Sequence, residues 1–250
     1  PILITVHPHN PERGLAAIQG EVVVMDAQTG VRLLALDGPT VTAHRTAAVS
    51  FLAARLLAAK PAGDLLLIGA GAQARAHLEA FRLGLGTQRV TIIARSATSA
   101  EQLASHARAL GMDATALAGG DAAGMADAAR PVLPHVALVV TATPAAQPVL
   151  PDLAPVTATA AEVWHPHHFV AAVGAFRPDM AELPPRLCVQ AAAADRLYAD
   201  TLVDLEAEAG DLLQAGKVGI GTFIGFIIGT VAKVGIGLAM LTTFAFGWWF

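Results

Sequence analysis

The segment of this chain with the clearest chemical potential is a glycine-rich turn. It follows an apolar run and opens an Ala-rich segment, the context that the dinucleotide-binding fingerprint G-x-G-x-x-G/A requires. The first glycine permits a tight turn, the second lets the backbone approach a pyrophosphate, and the terminal Ala allows close helix–strand packing. The free N–H groups of the helix N-terminus favour an anion. We predict dinucleotide binding here, the alternative being an empty turn of the same shape. The residues are Gly69, Ala70, Gly71, Ala72, Gln73 and Ala74.

The end of the next apolar run indicates which dinucleotide is bound. In NAD sites an Asp or Glu at this point binds the ribose 2′-hydroxyl. Here the run ends with Arg95 and Ser96. A guanidinium can hold a phosphate through paired, charge-assisted hydrogen bonds. The sequence therefore favours NADPH over NADH, unless Arg95 is simply a solvated side chain at a strand end.

Two further strand ends are expected to border the same crevice, because ligands of open α/β sheets bind outside the carboxyl ends of the strands. One strand ends at Thr141, Ala142 and Thr143, and a later strand ends at Gly174. We expect these residues beside the nicotinamide, or else in ordinary turns.

These residues require a particular set of elements to position them. From Asp64 the chain alternates continuous apolar strands with helical segments. VALVVTAT and FVAAVGAF are two of these strands. This alternation predicts a parallel sheet covered on both faces. The expected fold is a Rossmann-type, doubly wound α/β domain over residues 60–190.

The preceding region, residues 1–59, is predicted to be a partial α+β domain. Residues 1–6 read as a strand, and two apolar runs around Asp26–Gly30 predict a β-hairpin. A helix is expected over 42–59, capped by Thr40 or Thr42. It carries Arg45 and Thr46 in its first turns.

Composition excludes several classes of protein. Sixteen Lys and Arg against twenty Asp and Glu, without a strongly basic block, argue against nucleic-acid binding. A single cysteine, Cys188, excludes a disulfide framework and a cysteine-based zinc site and fits a cytoplasmic protein. We expect Cys188 to be an inert, buried thiol in a strand. His165, His167 and His168 are interrupted by Pro166 and predict a loop, so we expect no metal site.

The last segment differs from the rest of the chain. Residues 191–217 are expected to return to the first domain, whereas 218–250 carry one charge, Lys233. Gly221, Gly225 and Gly229 would share one helical face, which suits close helix packing in lipid. A helix of that length exceeds the roughly 30 Å hydrocarbon core. The alternatives are a membrane-spanning helix, a buried or interface helix, and a foreign segment.

Six segments together resemble the ornithine cyclodeaminase/μ-crystallin family, and within it the Δ1-pyrroline-2-carboxylate and Δ1-piperideine-2-carboxylate reductases. They occur in the family's order within about residues 1–216. They read GLAAIQGEVVVMDAQTG, TAHRTAAVSFLAARLL, LLLIGAGAQARAHLEAF, VTATP, VGAFRPDMAEL and EAGDLLQAG.

The resemblance implies a Rossmann domain and a substrate domain that also forms a homodimer when complete. It implies that Arg45 grips the substrate carboxylate and that Thr46 lies near the cofactor phosphates. The implied activity is NADPH-dependent reduction of a cyclic α-imino acid to L-proline or L-pipecolate. An ornithine cyclodeaminase-like enzyme and a non-catalytic NADPH-binding protein are the alternatives.

Departures from the family pattern bear on this choice. Where cyclodeaminases of the family carry a catalytic Asp, this chain has Phe176, and the nearby Asp179 matches a different position. This favours reduction over cyclodeamination. The family's substrate-binding Lys corresponds to Ile2, and a further substrate-binding Arg would precede Pro1. We therefore expect most of a reductase, cut at its start and joined to a foreign end.

Overall fold

The computed structural model describes residues 2–7, 9–15, 18–153, 164–165, 167–177 and 179–199. These residues form one antiparallel and one parallel sheet with five α-helices. No helix among them has the length and apolar content needed to cross a membrane. The expected tail, 218–250, lies outside the described residues, as does the return segment 191–217 beyond residue 199.

The first sheet contains three antiparallel strands in the order β1-β2-β3. Its strands are β1 (Ile2–Val6), β2 (Ile18–Met25) and β3 (Arg32–Asp37). The predicted strand at 1–6 and the predicted hairpin are confirmed. The Asp26 carboxylate closes the turn by accepting hydrogen bonds from Gln28 N and Thr29 N, and Gly30 supplies the positive φ of +71°.

Helix α1 (Gly38–Leu57) crosses from the first sheet to the second. It begins earlier than the predicted 42–59, and neither Thr40 nor Thr42 is its cap. Asp37 is the N-cap and accepts a hydrogen bond from Thr40 N at 2.8 Å. Pro39 lies in the first turn, where a missing N–H loses no helical hydrogen bond.

The second sheet has five parallel strands in the order β6-β5-β4-β7-β8. Strand β4 lies in the middle, and the chain winds away from it first on one side and then on the other. This topology confirms the prediction of a doubly wound parallel sheet. The strands are β4 (Leu65–Ile68), β5 (Arg89–Ala94), β6 (Asp113–Ala118), β7 (Leu138–Thr141) and β8 (Phe169–Ala172).

Apolar clusters cover both faces of this sheet. Leu65 and Leu67 pack on one side with Leu78, whereas Leu66 and Ile68 pack on the other with Met125. Sequence reasoning did not identify β6 or α4. The remaining helices are α2 (Ala72–Ala80), α3 (Ala97–Ala109), α4 (Ala122–Ala129) and α5 (Pro185–Ala193).

Two local predictions are corrected by the structure. The helix expected after the glycine-rich turn is α-helical only to Ala80, and Phe81–Leu85 form a π-helical turn that Gly86 ends at a φ of +79°. Cys188 lies in helix α5 rather than in a strand, although it is buried as expected. The two prolines before it, Pro184 and Pro185, start a helix by fixing φ at its first turn.

Candidate functional site

The carboxyl ends of the parallel strands bring the candidate cofactor residues to one edge of the sheet. Gly69 follows β4, and its N–H donates to Ile93 O of β5 at 2.8 Å. Ala142 follows β7, and its N–H donates to Ile68 O at 2.8 Å. The turns after β4, β5 and β7 are therefore neighbours. In open α/β sheets, ligands bind outside this edge.

Gly69 is required by its own backbone and by its neighbour. Its φ is +117°, a backbone conformation that residues with a side chain rarely adopt. A Cβ there would also overlap the carbonyl oxygen of Ala142. The first glycine of the motif thus packs the turn after β4 against the turn after β7.

Gly71 has the opposite environment, and it faces open space. Its φ of −85° is ordinary, and no heavy atom lies within 4 Å of a Cβ built there. As N-cap of α2 it provides no side-chain cap, so the first N–H groups of the helix are free for a ligand. Gln73 Oε1 is buried and accepts no hydrogen bond from the described residues. The open space at Gly71 and the free N–H groups of the helix fit a dinucleotide whose pyrophosphate lies against Gly71.

Arg95 and Ser96 lie directly after β5 and are exposed. No described residue forms an ion pair with Arg95, which leaves its guanidinium available to a phosphate. Ser96 is the N-cap of α3, accepting from Ser99 N at 3.1 Å and donating to Ser99 Oγ. Its hydroxyl therefore already serves the helix.

Thr143 and Gly174 meet at the buried carboxylate of Glu182, for which the sequence left two roles open, orienting a loop and transferring a proton. Glu182 Oε1 accepts from Thr143 N at 2.6 Å and from the Thr143 hydroxyl at 2.7 Å. Glu182 Oε2 accepts from Gly174 N at 2.7 Å. Thr141 is fully buried beside this group.

Burial raises the pKa of Glu182, and the hydrogen bonds from Thr143 and Gly174 oppose that rise. The side chain is 0% exposed. One sequence signal could have revealed it: Glu182 is the acid in the apolar run Met180–Leu183. An acid in such a run is buried only when it has hydrogen-bonding partners.

Helix α1, which carries Arg45 and Thr46, packs against α2. Ala43 and Ala47 of α1 pack against Ala76 of α2, and such small side chains let the two helices approach closely. Arg45 is exposed, and Thr46 is half-buried. Arg45 has no ion-pair partner among the described residues. Its guanidinium is thus available to an anionic ligand.

A buried hydrogen bond between His77 and Ser50 also holds α1 against α2. The Nδ1–H of His77 donates to Gln73 O at 2.7 Å, so Nε2 is the acceptor of the Ser50 hydroxyl at 2.9 Å. Burial lowers the pKa of His77 and favours this neutral form. The pair joins α2 to α1 one helical turn beyond the dinucleotide motif.

Phe176 lies in the loop after β8 and is 49% exposed. The Arg177 guanidinium is 5.7 Å from the centroid of its ring, and Asp179 pairs with Arg177 at 3.0 Å. Asp179 is thus occupied by a neighbouring Arg. The structure presents an aromatic ring at the position for which the resemblance to the family's cyclodeaminases implies an acid.

Other polar features lie away from this edge. Two shallow cavities of about 240 and 270 Å³ at the amino edge of the sheet are lined by Asp64, Arg89 and His135. No residue from the first turn of a described α-helix lines either of them. His165 and His168 lie near Trp164, and no metal-binding group of His, Cys, Asp or Glu occurs in the described part of the chain.

The comparison with family models decides the family. The model of the ornithine cyclodeaminase/mu-crystallin family matches residues 3–228. This chain belongs to that family. The prediction made from the six sequence segments is confirmed.

Individual relatives of this ornithine cyclodeaminase/mu-crystallin chain carry reductase names. It is 37% identical over 213 residues to the Delta(1)-pyrroline-2-carboxylate/Delta(1)-piperideine-2-carboxylate reductase of Azospirillum brasilense, covering 85% of this chain and 61% of that protein. It is 30% identical to the ketimine reductase mu-crystallin of Mus musculus, covering 86% of this chain and 60% of that protein. The chain thus spans about three fifths of the length of both relatives.

A solved structure shares the fold. An archaeal alanine dehydrogenase dimer with bound NAD matches with a TM-score of 0.68 and 25% identity, covering 87% of this chain and 61% of that one. The shared fold includes the parallel sheet that carries the glycine turn.

Proposed function

We propose that this chain is part of an NADPH-dependent reductase of cyclic α-imino acids. The substrate would be 1-pyrroline-2-carboxylate or 1-piperideine-2-carboxylate and the product L-proline or L-pipecolate. The observation that carries the proposal is the 37% identity to a relative named for both substrates. The open face above Gly71, at an uncapped helix N-terminus, supports the cofactor.

Each site residue then has a physical role. The helix N-terminus beyond Gly71 would hold the pyrophosphate, and Arg95 would pair with the 2′-phosphate. Ala142, Thr143 and Gly174 would line the crevice beside the nicotinamide, which supplies the hydride. Because a solved relative binds NAD, the choice of NADPH depends on Arg95 and on the missing acid after β5.

Arg45 would orient the substrate. A cyclic α-imino acid has one fixed anion, its carboxylate, and a planar guanidinium can bind it through two parallel hydrogen bonds. This would hold the C=N carbon in the position needed for hydride transfer. Phe176, in place of an acid, favours reduction over cyclodeamination.

Two further features belong to the same proposal. The complete protein would be a homodimer, which is supported by the dimeric relative and by exposed apolar side chains on the first sheet such as Leu3, Leu33 and Leu34. It would act in the cytoplasm.

Replacing Arg45 tests the substrate site. We expect Arg45→Lys to lower kcat/KM for the imino acid about 100-fold, because Lys keeps the charge and loses the paired geometry. NADPH affinity should not change. Arg55→Ala, on the exposed surface of the same helix, is the matched control. Unchanged kcat/KM in Arg45→Lys would refute the role, and NADPH binding without any oxidation by wild type would favour a non-catalytic binding protein.

A further inference from the structure

The carboxyl ends of β7 and β8 are joined by one buried side chain. Glu182 accepts a main-chain hydrogen bond from Thr143 on one oxygen and from Gly174 on the other. The two donors belong to different loops, so the carboxylate spans the gap between them.

The backbones of these two loops lie against each other. A Cβ at Gly174 would overlap the main-chain N and O of Thr143 and lie 2.7 Å from Glu182 Oε1. On its other side, the turn after β7 contacts Gly69, where a Cβ would lie 3.0 Å from the carbonyl carbon of Ala142. Contacts therefore lead from Glu182 through the β7 loop to the glycine-rich turn.

Glu182 is itself held by the chain. Its carbonyl oxygen accepts from Val149 N at 2.8 Å, and Ala181 N donates to Ala145 O at 3.0 Å. These bonds tie the segment carrying the carboxylate to the loop after β7. The position of the carboxylate is thus set by backbone on both sides.

We infer that Glu182 is a positioning residue that fixes the β7 and β8 loops in the arrangement that receives the nicotinamide end of the cofactor. The inference rests on the proposed function for the identity of the ligand. The geometry of the loops is a property of the protein before any cofactor binds, and it can be measured separately.

Glu182→Gln is the sharpest variant because it keeps the shape and removes one acceptor. Both carboxylate oxygens face main-chain N–H groups, so the Gln NH₂ must oppose either Thr143 N or Gly174 N. A main-chain N–H can only donate, so one of the two amides loses its acceptor. We expect that amide to exchange its hydrogen roughly 10-fold faster or more in the cofactor-free protein. NADPH affinity should fall by a similar factor.

Local and global effects are separable in the same experiment. A general loss of stability would speed the exchange of the β4 amides by the same factor and leave the cofactor affinity of the folded protein unchanged. Glu101→Gln, an exposed residue of α3, is the matched control. Wild-type exchange at both loop amides, or wild-type NADPH affinity in folded Glu182→Gln, overturns the inference.

The wild-type protein provides a test that does not depend on the variant folding. Thr143 and Gly174 lie in loops, where amides ordinarily exchange fast, yet we expect both to be protected like strand amides. Fast exchange at either amide in the cofactor-free wild type would overturn the inference. If both are protected and NADPH still fails to bind, the proposed function fails while the loop geometry stands.

Discussion

Replacing Gly71 with alanine should weaken cofactor binding while leaving the fold intact. The φ of −85° suits alanine, and nothing lies within 4 Å of the new methyl group. The substitution should raise the free energy of unfolding by about 0.4–1 kcal/mol, because alanine lowers the conformational entropy of the unfolded chain. The poorer N-cap propensity of alanine offsets this gain by a similar amount. The free energy of unfolding should therefore stay within about 1 kcal/mol of wild type.

The effect on the cofactor should be larger. The methyl group would occupy the open face that brings the helix N–H groups to the pyrophosphate. Loss of a hydrogen bond to a charged group costs about 1.5–3 kcal/mol, or roughly 10- to 150-fold in Kd. Gly69→Ala should give the reverse signature. Its φ of +117° costs about 1–3 kcal/mol, and overlap with Ala142 adds about 1–3 kcal/mol.

Two assays applied to both variants separate the effects. Urea unfolding gives the free energy of unfolding, and NADPH fluorescence titration of folded protein gives Kd. We expect Gly71→Ala to change only Kd and Gly69→Ala to lose about 2–6 kcal/mol of stability. Wild-type NADPH affinity in Gly71→Ala would refute the assignment of this face to the pyrophosphate.

Two further predictions concern charge. Arg95→Ala should raise the Kd for NADPH roughly 10- to 100-fold and leave that for NADH unchanged, because only NADPH carries the 2′-phosphate; equal loss for both nucleotides would contradict this. Burial lowers the pKa of His168 to about 4, so the stability contributed by its neutral form is complete above about pH 6.5 and is lost as pH falls towards 4. Protonation would also break the bond that Nδ1 accepts from His165 N. Over that range, the free energy of unfolding in urea should fall by up to about 3 kcal/mol more for wild type than for His168→Gln. The Gln side chain can still donate to Leu133 O. Equal pH dependence of the two proteins would contradict the lowered pKa.

The parallel sheet and its ligand edge could be predicted because local signals agreed there. Apolar strands such as Leu65–Ile68 are continuous along the sequence. Gly69 marks the turn that follows, because that turn requires a positive φ. Both signals come from neighbours in the sequence. The order of the strands then determines which turns are adjacent.

The remaining features depended on ambiguous local signals or on contacts between distant residues. Asp37 caps α1 by accepting a hydrogen bond from Thr40 N, but Thr40 and Thr42 were equally good cap candidates in the sequence. Glu182 receives its hydrogen bonds from Thr143, 39 positions earlier, and nothing in its own segment identifies that partner. Cys188 was placed in a strand because a short apolar run does not distinguish strand from buried helix.

The most direct test of the central claim is to titrate the purified chain with NADPH and with NADH, using the fluorescence of the cofactor to measure binding. The account predicts saturable binding of NADPH, tighter than that of NADH, and loss of NADPH absorbance when 1-piperideine-2-carboxylate is added. Absence of binding by either nucleotide to the folded chain would contradict it.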